Sequence, residues 1–131
     1  MCIRDSYNSP VITNNGLWNI TGNNNTSLGN SYGNITNSST GSITKSSTGT
    51  TTFTYASPFN NSGTINFNAG TAAFGGLGTT TITNTGALAF GGGAMIIQNG
   101  TTFNYNTGST VSGAGAFTNN ASLQLLSLIH I

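Results

Sequence analysis

The feature that most narrows the folds open to this chain is a nine-residue pattern that recurs along it. The pattern occupies residues 12–20, 35–43, 59–67, 82–90 and 117–125, at intervals of 23, 24, 23 and 35 residues. Each copy runs apolar, Thr or Asn, Asn, small polar, Gly/Ser/Ala, any residue, apolar, any residue, apolar. Its period of two belongs to a strand with one buried face, and the Asn-x-Gly centre belongs to a turn between two short strands. A further strand recurs between copies, as Gly49-Thr50-Thr51-Thr52-Phe53-Thr54-Tyr55 and Gly100-Thr101-Thr102-Phe103-Asn104-Tyr105, with a weaker relative at Gly70-Thr71-Ala72-Ala73-Phe74. Helix is excluded by this periodicity.

A unit of 20 to 25 residues holding two or three short strands cannot bury a face alone and gains stability by stacking on its own copies. The expected fold is therefore all-β, a parallel β-solenoid of about five incomplete coils of 23–24 residues, with an antiparallel β-sandwich or irregular β-repeat as the alternative. The inward ranks would be Ile12, Ile35, Phe59, Ile82 and Phe117 in one row and Ile20, Ile43, Phe67, Phe90 and Leu125 in a second. Trp18, Ile65, Leu88 and Leu123 supply a third. At the spacing of hydrogen-bonded strands, five coils make a rod about 24 Å long. Between Gly91 and Gly115, where the interval lengthens, a loop or an extra short coil is expected.

The third place of each copy is Asn: Asn14, Asn37, Asn61, Asn84 and Asn119. An amide carries both donors and an acceptor, so a stacked column of Asn can bond from coil to coil while satisfying the turn backbone. These five residues are expected to form a structural column rather than a binding site.

Composition bears on what such a rod could do. Asn, Thr, Ser and Gly make up 77 of the 131 residues, and Arg4, Asp5 and Lys45 are the charged ones. Low hydrophobicity here comes without the high net charge that drives disorder, so order is possible where small polar groups are paired.

The two ends read as foreign to the repeat. Residues 1–6 (Met1, Cys2, Ile3, Arg4, Asp5, Ser6) back-translate as ATG TGT ATA AGA GAC AG. Residues 126–131 (Leu126, Ser127, Leu128, Ile129, His130, Ile131) back-translate as the reverse complement, CTG TCT CTT ATA CAC ATC. Both resemble translated transposon-end sequencing adapter. The expected organisation is thus 1–6 adapter, 7–125 a β-strand-repeat segment of a longer protein, and 126–131 adapter. That division removes Cys2 and His130 as a nucleophile or ligand and leaves Lys45 as the charge of the repeat.

Stretches such as Asn61-Ser62-Gly63-Thr64-Ile65-Asn66-Phe67-Asn68-Ala69-Gly70-Thr71 and Gly113-Ala114-Gly115-Ala116-Phe117-Thr118-Asn119-Asn120 resemble bacterial β-strand-repeat surface proteins, among them autotransporter passengers and filamentous-haemagglutinin-type adhesins. The resemblance covers most of residues 12–125 and is one of repeat style and composition. It implies a right-handed parallel β-helix on a secreted or cell-surface protein, with a structural or adhesive role and no catalytic residues to carry over.

Chemistry is correspondingly sparse. Acid–base hydrolysis on a β-helix needs carboxylates, which the repeat lacks, and Ser or Thr has no base to activate it. Lys45, in Ile43-Thr44-Lys45-Ser46-Ser47, reads as a solvated strand end. The Gly-rich stretches Gly91-Gly92-Gly93 and Gly75-Gly76-Leu77-Gly78 lack the strand–loop–helix setting and terminal Lys of a phosphate loop. One cation cannot replace the counterions of a nucleic-acid backbone. The chain is therefore expected to be no enzyme, to take no cofactor or metal, to bind no nucleic acid and to insert no segment into a membrane. Its expected partners are neighbouring coils of the same longer chain, with host or matrix glycans as ligands of the outward Asn and Thr rows. Ice binding would need two parallel Thr rows. Thr13, Thr36, Asn60, Thr83 and Thr118 form one, and the row two residues away reads Pro10, Gly33 or Asn34, Pro58 or Ser57, Thr81 and Ala116, leaving the array incomplete. With almost no charge to oppose edge pairing, the isolated segment is expected to self-associate.

Overall fold

The structure, a computed structural model, describes residues 11–23, 25–28, 33–54, 58–76 and 80–125. Both terminal hexapeptides, with Cys2 and His130, lie outside these residues, as do Leu77 and Gly78. Among the described residues every regular element is a strand. The first coil holds β1 (Ile12–Asn14), β2 (Leu17–Ile20) and β3 (Thr26–Leu28), and the second holds β4 (Ile35–Asn37), β5 (Ser42–Lys45) and β6 (Thr50–Phe53). The third holds β7 (Phe59–Asn61), β8 (Thr64–Phe67) and β9 (Thr71–Phe74), and the fourth β10 (Thr80–Asn84), β11 (Ala87–Phe90) and β12 (Ala94–Ile97). β13 (Thr101–Tyr105), β14 (Thr110–Gly113) and β15 (Ala116–Asn119) form the fifth, and β16 (Ser122–Leu125) opens another layer.

Each strand pairs in parallel with the strand three places along. The first sheet runs β1-β4-β7-β10-β13-β16, the second β14-β11-β8-β5-β2 and the third β15-β12-β9-β6-β3. The fold is a three-sided parallel β-solenoid, and the antiparallel alternative is set aside by the parallel pairing of every ladder.

Alternation fixes which side chains enter the bore. In β5, β8 and β11 the second and fourth residues are buried and the others half-buried, which is the single-faced burial that a period of two encodes. The row Ile43, Ile65 and Leu88 is fully enclosed, and each such side chain contributes about 1.5–3 kcal/mol by leaving water. In-register stacking sets like rings face to face at the spacing of the strands. Phe53 and Phe74 lie 4.5 Å apart with planes 5° from parallel, and Phe67 and Phe90 lie 4.8 Å apart.

All three expected inward rows are corrected by the register. After Asn37 the corner holds four residues, Ser38 to Gly41, where those after Asn14, Asn61 and Asn84 hold two. The nine-residue frame therefore slides by two in the second coil: Ile43 pairs with Trp18 and Ile65, while Lys45 pairs with Ile20 and Phe67. A slip of two preserves the inward parity, so the pattern alone does not betray it.

The second correction concerns the last copy. Ile82 pairs with Phe103, and Phe103 with Leu123, whereas Phe117 pairs with Met95 in the third sheet. Leu123 belongs beside Phe103 rather than beside Trp18, and Leu125 is in register with Tyr105. Of the two alternatives expected for it, the lengthened interval holds an extra, shorter coil and not a loop. Measured along the first sheet, successive coils take 23, 24, 23, 21 and 20 residues.

Candidate functional site

The corner between the first and second sheets is the most repeated structure in the molecule. Four of the five expected Asn residues close the first-sheet strands there, and their side chains are bonded in series. Asn14 Nδ2 donates to Asn37 Oδ1 at 2.8 Å, Asn37 Nδ2 to Asn61 Oδ1 at 2.7 Å, and Asn61 Nδ2 to Asn84 Oδ1 at 2.7 Å. Asn37, Asn61 and Asn84 are at most 1% exposed.

Each amide also fastens its own corner. Asn37 Nδ2 reaches the Gly41 carbonyl at 3.3 Å, Asn61 Nδ2 that of Gly63 at 3.3 Å, and Asn84 Nδ2 that of Gly86 at 3.0 Å. Because the nitrogen must donate to a carbonyl, the oxygen is the atom left to accept from the coil before, so the direction of the series follows from the network. A buried amide with both ends engaged avoids the cost of about 1–3 kcal/mol that an unpaired one carries.

Gly41, Gly63 and Gly86 of this corner are required by approach, not by φ, whereas Gly16 has open space around it. The Ala87 N–H donates to the Gly63 carbonyl at 2.8 Å and the Thr64 N–H to that of Gly41 at 3.0 Å. A Cβ on Gly86 would collide with the Gly63 carbonyl, and one on Gly63 with the Gly41 carbonyl.

Asn119 is not in this series. It ends β15 in the third sheet, in register with Ile97, and closes a local turn in which its Oδ1 accepts from Ala121 N at 3.2 Å and its Nδ2 donates to Ala121 O at 3.1 Å. The place beside Asn84 is taken by Tyr105. Its hydroxyl donates to the Ser109 carbonyl at 2.9 Å, and Ser109 Oγ donates to the Asn84 carbonyl at 2.6 Å. Ser109 directly precedes β14 as the corner glycines precede β2, β5, β8 and β11, so Tyr105 keeps the corner-fastening bond, while Ser109 supplies a link to the coil before through the Asn84 backbone carbonyl rather than through its amide. An Asn-anchored repeat search passes over that substitution.

Lys45 is corrected from solvated to enclosed. It is 1% exposed, in the row of Ile20 and Phe67. Its Nζ donates to the Ser47 carbonyl at 2.5 Å, to Ser47 Oγ at 2.5 Å and to the Gly49 carbonyl at 2.8 Å. Three acceptors match the three hydrogens of an ammonium, and all three lie in the corner that follows β5, so the side chain staples that corner to the bore. Desolvation by burial lowers the amine's pKa from its usual 10.5.

The outward faces carry hydroxyls and amides in rows. On the first sheet the row is Thr13, Thr36, Asn60, Thr83, Asn104 and Gln124; Thr118 lies on the third sheet, in register with Ile96. Two residues before this row, Thr81, Thr102 and Ser122 are in register, so a second polar row does run beside the first over β10, β13 and β16. β13 and β16 carry this row without the Asn-centred pattern that marks the earlier first-sheet strands. The second sheet shows a bonded patch: Asn66 Nδ2 donates to Ser42 Oγ at 3.2 Å and to Thr44 Oγ1 at 3.3 Å.

Among the described residues no group of three or more His, Cys, Asp or Glu comes together, and no helix is long and apolar enough to cross a membrane. Compared with known protein families, with curated proteins and with solved structures, the chain finds no match.

Proposed function

We propose that this chain is a structural or adhesive segment of a secreted or cell-surface bacterial repeat protein, with no chemistry of its own. One observation carries the reading: backbone ladders on three sides link each coil to the next, and a buried amide series at one corner joins the first four. Such a stack resists being drawn apart along its axis, because each coil is held by many parallel bonds that have to fail together. Further coils of the same longer chain are its natural neighbours. The resemblance of its repeat to bacterial surface proteins supplies the location. Pulling the chain end to end between molecular handles tests the role. A stalk holds its length until it ruptures cooperatively, and smooth extension like that of a Gly/Ser linker would overturn the reading.

A second reading, glycan adhesion, is favoured by the Ser42, Thr44, Thr64 and Asn66 patch. Hydroxyls and an amide, half-buried on a rigid uncharged surface, suit hydrogen bonding to sugars. Screening immobilised neutral glycans decides it: binding lost in Asn66→Ala supports adhesion through this face, and no binding to any of them removes it.

A further inference from the structure

We propose that Asn99 is a site of spontaneous covalent modification, converting through a succinimide to aspartate and isoaspartate, and that the fold sets it apart from the other Asn-Gly pair of the chain. Asn-Gly occurs at Asn15-Gly16 and at Asn99-Gly100. Glycine after asparagine lets the following backbone nitrogen approach the side-chain carbonyl without hindrance from a Cβ.

The two pairs are held differently. Asn99 and Gly100 are both exposed at the tip of the turn between β12 and β13, where Thr101 N–H donates to the Gln98 carbonyl at 3.2 Å and Gly100 has a φ of 82°. That bond closes a four-residue turn through the nitrogen of its last residue and does not use the nitrogen of Gly100. The Asn99 side chain has no hydrogen bond among the described residues. At the other pair, the Gly16 N–H donates to Asn14 Oδ1 at 3.3 Å and the Asn15 carbonyl accepts from Thr40 Oγ1 at 3.1 Å. The nucleophile is therefore engaged, and the backbone on its N-terminal side is pinned. Asn37, Asn61 and Asn84 are buried and bonded at both ends of the amide.

The step balances as follows. Solvent base removes the Gly100 amide proton, the nitrogen attacks Asn99 Cγ to form the ring C–N bond, and the Cγ–Nδ2 bond breaks with release of ammonia. One water then opens the ring at either carbonyl, giving aspartate or isoaspartate. Net, an amide and water become a carboxylate and ammonium, placing a negative charge on a surface that otherwise has almost none.

The test is peptide mapping by mass spectrometry of the purified full chain, aged at neutral and at mildly alkaline pH, folded and in guanidinium. In the folded protein Asn99 should gain one mass unit, as two chromatographically separate products, several-fold faster than Asn15, and faster again at the higher pH. In denaturant the two sites should converge. Asn99→Gln should abolish the product at that turn and leave Asn15 unchanged. Folded-state conversion at Asn99 no faster than at Asn15, or none at all, would overturn the proposal.

Discussion

Tyr105 lies beside Asn84 in the first sheet and gives its hydroxyl to the Ser109 carbonyl at 2.9 Å, the task that Asn84 performs on Gly86 at 3.0 Å. Tyr105→Phe should therefore cost about 1 kcal/mol, the net worth of one hydrogen bond. Tyr105→Asn should be better tolerated than Tyr105→Ala, because Asn37 already spans a four-residue corner of the same length. Urea denaturation midpoints of the three variants give the ranking.

Within the series, position matters. Asn61→Ala removes a donor to Asn84 and an acceptor from Asn37, leaving both buried amides short of a partner. The expected loss is about 2–4 kcal/mol. Asn14→Ala, at a half-buried end with one series bond, should lose about 1 kcal/mol.

The corner glycines offer a matched pair. Gly63→Ala drives a methyl into the Gly41 and Ser38 carbonyls, which should cost about 1–3 kcal/mol or more. Gly16→Ala meets nothing within 4 Å and should change stability by less than about 0.5 kcal/mol. Thermal unfolding followed by circular dichroism separates the two.

Lys45 makes stability depend on alkaline pH. Its folded pKa lies below 10.5 because burial disfavours the ammonium. Below the folded value both states are protonated and the full penalty is present. Between the folded value and 10.5 the unfolded chain binds more protons, so the unfolding free energy rises with pH, and above 10.5 the penalty is gone. The wild-type melting temperature minus that of Lys45→Met should thus climb through this window. A flat difference would show that the folded amine titrates normally.

The outermost described coils leave core rows open, with Val111 55% exposed, Leu123 43% and Ile12 47%. Open strand edges with apolar rows beside them pair readily. Purified chain is expected to self-associate, and light scattering should show the effect reduced in a Val111→Lys, Leu123→Lys variant.

Much of this architecture was legible in the sequence. Period-two alternation gave the strands, recurrence gave the stacking, and Asn-x-Gly at Asn14, Asn61 and Asn84 marked the corner that Asn37 shares. The register was harder to read. Corners accept two residues or four, so a fixed nine-residue frame loses its place between Asn37 and Ile43. The displaced frame still alternates correctly but ends at Ile43, so the inward place of Lys45 falls beyond it and reads as a solvated strand end. At Tyr105 the chemistry of the corner is kept by a residue of different shape, and a search keyed to Asn moves on to Asn119, whose flanking pattern is similar but whose sheet is not.

The amide series carries one more implication. Its donors all point from earlier coils to later ones, and it persists although the coils it joins take 23, 24 and 23 residues. Insertions within a corner therefore leave it intact, whereas gaining or losing one side of the triangle would carry every later Asn to a different edge. Gene duplications that lengthen such a rod can vary by a codon or a few, but they have to add whole circuits.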